Sequence, residues 1–145
     1  EPGKEILALE TRRADPREAE ALQLPEGATV HAYDGLSFAD GVPIATFRSV
    51  FPADALPGLP DHLRETRSVT EALARCGVPD YTRTSTRLTA KAASATQALH
   101  LRIDEGAPIL RSVGINVDPD GRPVEYGRTW FAGDRVTLVM GDETD

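Results

Sequence analysis

The 145-residue sequence has one cysteine, Cys76, and no long hydrophobic run. A single cysteine excludes an intrachain disulfide framework and a zinc site built from cysteines. It is typical of a protein of the reducing cytoplasm, which is the expected location. The longest purely aliphatic run has four residues, 6–9, whereas a membrane-spanning helix needs ~18–20 apolar residues. The N-terminal residues lack the charged-then-apolar pattern of a secretory signal, and no membrane partner is expected.

Basic residues are in the minority, because 16 Lys and Arg stand against 23 Asp and Glu, giving a formal net charge of −7. Neutralising phosphates requires a basic face, so this balance argues against a free-standing nucleic-acid binder. A local basic pocket is still compatible with it, because net charge does not say where the arginines lie. The length suits one domain, expected over residues 1–145.

Several signatures of enzymes and metalloproteins are missing from the sequence. It has no Gly-x-Ser-x-Gly elbow, no Walker loop and no dinucleotide-binding fingerprint. His31, His62 and His100 lie in unrelated elements, and no two of them have the i, i+4 spacing of a helical metal site. Cys76 has no evident base partner, which favours a structural role. The sequence therefore predicts no catalytic residue, no metal and no cofactor.

An internal repeat is the most informative pattern in the sequence. The letters ALQL followed by EG, at 21–27, return as ALHL followed by EG at 98–106, and a DGxP turn at 40–43 returns at 120–123. Matched in this way, the offset grows from 77 to 80 residues, which predicts three added loop residues. A single duplication is too short for a solenoid and predicts two similar halves that share one sheet about a pseudo-twofold axis.

Alternation, capping residues and turn signals predict the elements of each half. Helices are expected to begin after Asp15, Ser68 and Ser94, with Glu71 completing a capping box at Ser68. The predicted strands are 5–12, 29–38, 44–51, 81–91, 109–117, 124–131 and a last one at 136–140. These elements predict an α+β fold, namely a mostly antiparallel sheet of about six strands with a few helices on one side.

The strand that begins at Tyr81 carries the chemistry that the sequence suggests. Regular alternation places Tyr81, Arg83, Ser85 and Arg87 on one face. Two guanidinium groups flanking a hydroxyl would form a clamp for a tetrahedral oxyanion, because arginine offers a rigid bidentate fork. The alternative is a solvated strand face decorated with charge, and the strand alone does not decide between the two.

The order of the alanine-leucine helix, the Glu-Gly pair and the DGxP hairpin, followed by EYGRTWFAGDR at 125–135, resembles the UTRA effector-binding domain. That domain belongs to transcription regulators of the HutC branch of the GntR family. RTSTR at 83–87 with EYGR at 125–128 is most similar to regulators of phosphonate utilisation, the PhnF type. The resemblance covers nearly the whole chain and implies a chorismate-lyase-like fold, small-molecule sensing and a homodimer. It further implies an excised fragment that contacts DNA only through a winged helix-turn-helix located upstream in the relatives.

The resemblance also implies ligand contacts. They are a serine before the first Asp-Gly turn, a serine at the start of the central helix, a glutamate after the second turn and the aromatic residue before Ala-Gly-Asp: Ser37, Ser68, Glu125 and Phe131. Sugar-phosphate-sensing relatives have basic residues where this chain has Gly35 and Ser37. Arg83 and Arg87 are therefore expected to replace them from a neighbouring strand.

A second pair of arginines, Arg48 and Arg128, recurs five residues after each turn proline. Alternation places Arg128 on the face opposite Glu125 and Phe131, so both sets cannot line one pocket without a bulge. Repetition at equivalent points favours a structural ion pair, and Arg48 is retained as a candidate ligand contact. Trp130 shares the face of Arg128 and is expected to pack.

These observations support one main hypothesis and two alternatives. The main hypothesis is an effector-sensing and dimerising domain of a bacterial repressor that binds a small anionic metabolite, a phosphonate or an organophosphate. One alternative is a lyase-type enzyme on the same fold, with Glu125 and Arg83 or Arg87 as its acid–base and charge-stabilising set. The other is a ligand-free dimerisation module, which a filled interior would support.

Overall fold

A computed structural model of the chain describes residues 2–141, which contain six strands and four helices. In chain order these are β1 (Pro2–Arg13), α1 (Pro16–Leu22), β2 (Thr29–Ala39), β3 (Val42–Pro52), α2 (Leu59–Thr66), α3 (Val69–Arg75), β4 (Thr82–Ala92), α4 (Ala95–Leu101), β5 (Pro108–Val117) and β6 (Pro123–Ala132). The predicted α+β class is confirmed. No helix within the described residues is long and apolar enough to span a bilayer.

All six strands form one antiparallel sheet in the order β1-β2-β3-β6-β5-β4. The first half, β1–α1–β2–β3, and the second half, β4–α4–β5–β6, therefore meet at the β3–β6 pair and run outward in the same order. At the centre of that pair Arg48 lies opposite Arg128. This arrangement confirms the predicted duplication and places the pseudo-twofold axis between β3 and β6.

The two halves align with a different offset from the predicted one. The N-cap of α1 is Asp15 and that of α4 is Ser94, 79 residues later. Buried Leu22 then corresponds to buried Leu101, whereas Leu99, its partner by letter matching, is 77% exposed. The offset is 79 through the helix and 80 at the turn, so one residue is added and the prediction of three was wrong. The correct alignment of the two helices matches their buried residues. A repeated Ala-Leu pair does not show which of its residues is buried.

The helices cover both faces of the sheet. On the first, termed the α1/α4 face, α1 packs through Leu22 and α4 through Leu101. On the second, termed the α2/α3 face, Leu63 of α2 and Leu73 of α3 pack around Tyr33. The prediction of helices on one side was wrong, because the predicted helix α3 and the additional helix α2, which the sequence pattern did not predict, cover the second face. Proline is tolerated in the first turn of a helix, where α2 has it.

Residues 136–140 do not form the predicted last strand, and the described chain has no strand after β6. Strand β6 is already paired on both sides, with β3 and with β5, so the residues that follow it cannot pair with it as a hairpin. The chain instead turns at 133–135, where Arg135 donates hydrogen bonds to the carbonyl oxygens of Pro43, Leu101 and Arg102 at 2.6–3.0 Å. Arg135 thereby caps the last carbonyls of α4 and fixes the end of β6 against β3.

Candidate ligand-binding site

Strand β4 does not present its polar side chains on one face. Its register with β5 shifts between Arg83 and Ser85, and one extra residue reverses the face that the following side chains take. Arg83 lies on the α2/α3 face, where its Nε donates to Asn116 Oδ1 at 2.8 Å. Ser85 and Arg87 line a cavity on the α1/α4 face. The predicted single clamp formed by Arg83, Ser85 and Arg87 is therefore wrong.

The other predicted contacts converge on the α2/α3 face. A cavity of about 370 Å³ opens there between the sheet and the start of α3, and we term it the Glu125 cleft. Four predicted residues from three separate segments line it: Ser37, Ser68, Glu125 and Phe131. Its other polar lining residues are Lys4, Ser49, Thr70, Tyr81 and Thr129. The fold thus brings together half of the residues singled out from the sequence.

Glu125 forms the polar end of this cleft and is held by two side-chain donors. Ser49 Oγ donates to Glu125 Oε2 at 2.7 Å, and Asn116 Nδ2 donates to Oε1 at 2.9 Å. Asn116 also accepts the hydrogen bond from Arg83, so a cation is linked to the carboxylate through one amide. A carboxylate has about four lone-pair positions. Two are used here, which leaves acceptor capacity for a ligand.

Two strand glycines make room for the side chains that shape this face. Gly35 in β2 and Gly114 in β5 occupy equivalent positions, 79 residues apart. A Cβ atom at Gly35 would overlap the ring of Phe47, and one at Gly114 would overlap the guanidinium of Arg83. Phe47 packs edge-on against Tyr33, with ring centroids 5.0 Å apart and an interplanar angle of 78°. Each glycine therefore lets one side chain lie flat across the sheet.

Ser68 lines the cleft at the start of α3 and also caps that helix. Its Oγ accepts from the Glu71 backbone N–H at 3.2 Å, as predicted. The other half of the capping box is not made, because the Ser68 N–H donates to Thr66 Oγ1 at 3.1 Å. Thr70, in the first turn of α3, is joined to Tyr81 by a 2.6 Å hydroxyl–hydroxyl bond. The start of α3 is thus tied to the segment that leads into β4.

The cleft is electrostatically polarised. Lys4 on β1 lies across from Ser37, with its Nζ 5.7 Å from the centre of the Phe47 ring. Arg67 lines an adjoining cavity that shares Lys4, Ser37 and Ser68. Glu125 lies on β6, three strand spacings from β1, or about 14 Å at 4.7–4.9 Å per spacing. The arrangement suits a molecule with an anionic group at one end and a hydrogen-bond donor at the other.

Arg48 and Arg128 lie on the other face, outside the cleft. Arg48 forms a bidentate ion pair with Asp34, with distances of 2.6 and 2.8 Å, which is the structural role that the repeat favoured. Arg128 lies over the rings of Tyr126 and Trp130, 5.3 and 5.9 Å from their centroids. The retained assignment of Arg48 as a ligand contact in the cleft is therefore corrected.

His31 and Cys76 serve the core. His31 Nε2 lies 2.9 Å from the Leu56 carbonyl oxygen and Nδ1 lies 2.8 Å from Thr11 Oγ1, so both ring nitrogens are hydrogen-bonded. Burial raises the pKa of the Cys76 thiol, which disfavours the reactive thiolate. Within residues 2–141 no three His, Cys, Asp or Glu side chains converge as a metal site would require.

Lys4, Ser49 and Asn116 were not among the predicted site residues. For Ser49 and Asn116, the sequence pattern does indicate a buried polar position. Ser49 lies between Phe47 and Phe51 at strand spacing, which makes it a polar residue on an inward face. Asn116 is a polar residue between Ile115 and Val117 in a strand. Polar residues at buried positions need partners, and the partner of both is Glu125.

Comparisons with known proteins agree with this fold. Residues 1–137 match the UTRA domain family. An uncharacterized HTH-type transcriptional regulator of Rhizobium meliloti (strain 1021) is 37% identical over 138 residues, which cover 95% of this chain and 57% of that protein.

Solved structures are similar over almost the whole chain. The effector domain of PhnF from Mycobacterium smegmatis has a TM-score of 0.88 and 26% identity, covering 99% of this chain and 88% of that one. A structure from Bordetella bronchiseptica, named as the ligand-binding domain of a GntR-family transcriptional regulator, has a TM-score of 0.85 and 26% identity, covering 96% and 90%. This chain therefore belongs to the UTRA domain family, in the form found in GntR-family transcriptional regulators.

Proposed function

We propose that this domain senses a small anionic metabolite in the Glu125 cleft and thereby controls an attached winged-helix DNA-binding domain in a cytoplasmic repressor. The observation that carries the proposal is the convergence of Ser37, Ser68 and Glu125, from three distant segments, on one cavity of about 370 Å³. A net charge of −7 fits a sensing domain that leaves DNA contact to another domain.

A phosphonate or an organophosphate is the effector class that the cleft supports best. Lys4 supplies a cation and Ser37 and Ser68 supply hydroxyl donors at one end, with Arg67 beside them. Glu125 at the other end suits an amine or a hydroxyl on the same molecule. An aminoalkylphosphonate combines both features, consistent with regulators of the HutC branch and the PhnF type.

Sensing requires the effector to bind one arrangement of the regulator more tightly than another. Contacts at both Ser68 and Glu125 would link the start of α3 to β6, two elements that the chain connects only indirectly. A differential affinity of about 1–3 kcal/mol is a typical coupling between two sites. In a repressor, the arrangement favoured by the effector is the one that releases DNA.

Dimerisation is part of the proposal, and one surface supports it. Within residues 2–141, no helix covers the α2/α3 face over β4 and β5. Leu88, Ala90 and Leu110 are left at least partly exposed there, and β4 is exposed along all of its 11 residues. A long exposed edge strand invites pairing with another chain. We assign this surface to a second copy of the same domain.

Calorimetry on the 145-residue chain with aminomethylphosphonate, methylphosphonate and glycerol 3-phosphate tests the sensing proposal. We expect saturable binding of at least one of them and an affinity loss of about tenfold or more, equal to ~1.4 kcal/mol, in Glu125→Gln. Arg83→Ala should also weaken binding, because it removes the cation linked to Glu125 through Asn116.

The matched control is Arg13→Ala, which removes one exposed positive charge at the end of β1 remote from Lys4. Its affinity should stay within about twofold of the unchanged chain. If Glu125→Gln and Arg83→Ala both bind the effector as tightly as the unsubstituted chain, the Glu125 cleft is refuted as the effector site. Turnover of a tested acid would instead support the lyase alternative, which the regulator names of the matching proteins disfavour.

A further inference from the structure

A second cavity lies on the α1/α4 face, between α1 and the strands β4, β5 and β6, and we term it the arginine cavity. Its volume is about 440 Å³. Four arginines from four elements line it: Arg17, Arg87, Arg111 and Arg128. The hydroxyls of Ser85 and Thr89 also line it, and Glu20 is its one acidic residue. The lining therefore carries a formal charge of about +3 inside a domain that is acidic overall.

The charges of these arginines are largely uncompensated. Within the described part of the chain, no carboxylate lies within 4.0 Å of Arg17, Arg87 or Arg111. Arg128 approaches Glu18 only at 3.9 Å, and that carboxylate is already held by Arg12 at 2.7 and 2.9 Å. Like charges gathered in a partly buried space destabilise the fold unless a counter-ion is bound.

Two of the guanidinium groups also have buried donors without an acceptor. The Nε atoms of Arg111 and Arg128 are buried and have no hydrogen-bond partner among residues 2–141. A buried donor without an acceptor costs more free energy than a donor that is exposed to water. Both side chains line the arginine cavity, so an oxyanion bound there would compensate the charge of the same two guanidinium groups.

The first half of the repeat shows the same region without the excess charge. There Asp34 forms the ion pair with Arg48, and the equivalent residue beside Arg128 is Val113. Two further positions, 79 residues apart, change from alanine to arginine: Ala8 to Arg87 and Ala32 to Arg111. The shared architecture therefore does not require these cations, and their accumulation in one half needs another explanation.

We propose that the arginine cavity binds a small oxyanion carrying two or more negative charges, of the phosphate-bearing class, at a site separate from the Glu125 cleft. Guanidinium groups match phosphate oxygens in bidentate geometry. The sheet itself stands between the two sites, since Arg83 and Arg87 of one strand face opposite ways. The inference goes beyond the proposed function and does not depend on it.

Calorimetry and thermal unfolding of the 145-residue chain with pyrophosphate as the probe test this site, at constant ionic strength. We expect saturable binding of one pyrophosphate and a midpoint temperature that rises with its concentration. Arg87→Gln and Arg111→Gln should each weaken binding about tenfold or more. Without the probe, Arg111→Gln should unfold at a higher temperature than the unchanged chain, because it relieves repulsion.

The matched control is Arg13→Gln, which removes one exposed positive charge at the end of β1, on the opposite edge of the sheet. It should keep the affinity within about twofold. Absence of saturable binding, or an equal loss in Arg13→Gln, would overturn the proposal. Loss of pyrophosphate binding in Glu125→Gln would place the anion in the cleft instead. Arg87→Gln, at an exposed position, keeps the test decisive if Arg111→Gln does not fold.

Discussion

At the scale of single residues, two glycines decide which side chains can lie on the α2/α3 face. Gly35 accommodates the ring of Phe47, which is packed in the core against Tyr33. Gly114 accommodates the far end of Arg83, a flexible side chain that is hydrogen-bonded to Asn116. The two positions are equivalent in the repeat, yet one supports the core and the other supports the site.

This difference predicts opposite outcomes for the same substitution. Gly35→Ala should lower the free energy of unfolding by about 1–3 kcal/mol, because the ring cannot move without disturbing the core. Gly114→Ala should change it by less than about 1 kcal/mol, since a guanidinium can swing away, but it should weaken effector binding by separating Arg83 from Asn116. Urea unfolding and calorimetry measure the two effects. Equal destabilisation by both substitutions would contradict this account.

At the scale of elements, α1 is anchored by its own first turn. Asp15 caps the helix, and Glu18 accepts from the Asp15 backbone N–H at 2.9 Å and from both terminal nitrogens of Arg12. Burial raises the pKa of Glu18, but the hydrogen bonds from Arg12 and Asp15 and the charges of Arg12 and Arg128 outweigh it. The net pKa of Glu18 lies below its ordinary value of 4.5.

A lowered folded-state pKa has a defined consequence for stability against pH. The contribution of Glu18 to the free energy of unfolding should be complete above its unfolded pKa of 4.5. It should be lost as the pH falls through the lower pKa that Glu18 has in the folded protein. Glu18→Gln should therefore reduce the free energy of unfolding by about 1–3 kcal/mol near pH 7. Urea unfolding from pH ~7 to ~3 should show this difference shrinking at acid pH. A difference that does not vary with pH would contradict the role of the ion pair.

At the scale of the whole molecule, the duplicated sheet is asymmetric on one face. The segment α2–α3 lies between the two halves and covers the α2/α3 face over β1 to β3. The Glu125 cleft lies where this cover ends, and the exposed surface of β4 and β5 lies beyond it. Helices α2 and α3 thus border the proposed ligand site and leave uncovered the surface of β4 and β5 that we propose as the dimer surface.

The dimer surface is testable with two leucines. Leu88→Glu should convert a dimer into a monomer, as measured by light scattering during size exclusion, because it places a charge in the proposed interface. Leu99→Glu is the control, since Leu99 is 77% exposed on α4, on the other face. A chain that is monomeric without substitution, or a dimer that both variants disrupt alike, would refute this surface.

Much of the fold was predictable because its signals are local. The N-caps Asp15, Ser68 and Ser94 are all observed, and so are the Asp-Gly turns of both hairpins, at 40–41 and 120–121. The duplication was readable because equivalent turns repeat at nearly equal spacing. Helix α2 was missed because prolines in a first turn look like loop residues when the packing of Leu59 and Leu63 is unknown.

The sequence by itself determined the class of fold and the repeat, and its resemblance to the UTRA domain pointed to four of the residues that line the Glu125 cleft. The tertiary structure alone decided that Arg83 and Arg87 face opposite sides of the sheet. Alternation is a property of one strand, whereas a bulge depends on which hydrogen bonds the neighbouring strand offers. One extra residue between Arg83 and Ser85 reverses the face of the sheet on which the following side chains of the strand lie. For that reason a strand interpreted as one anion clamp contributes to two separate sites.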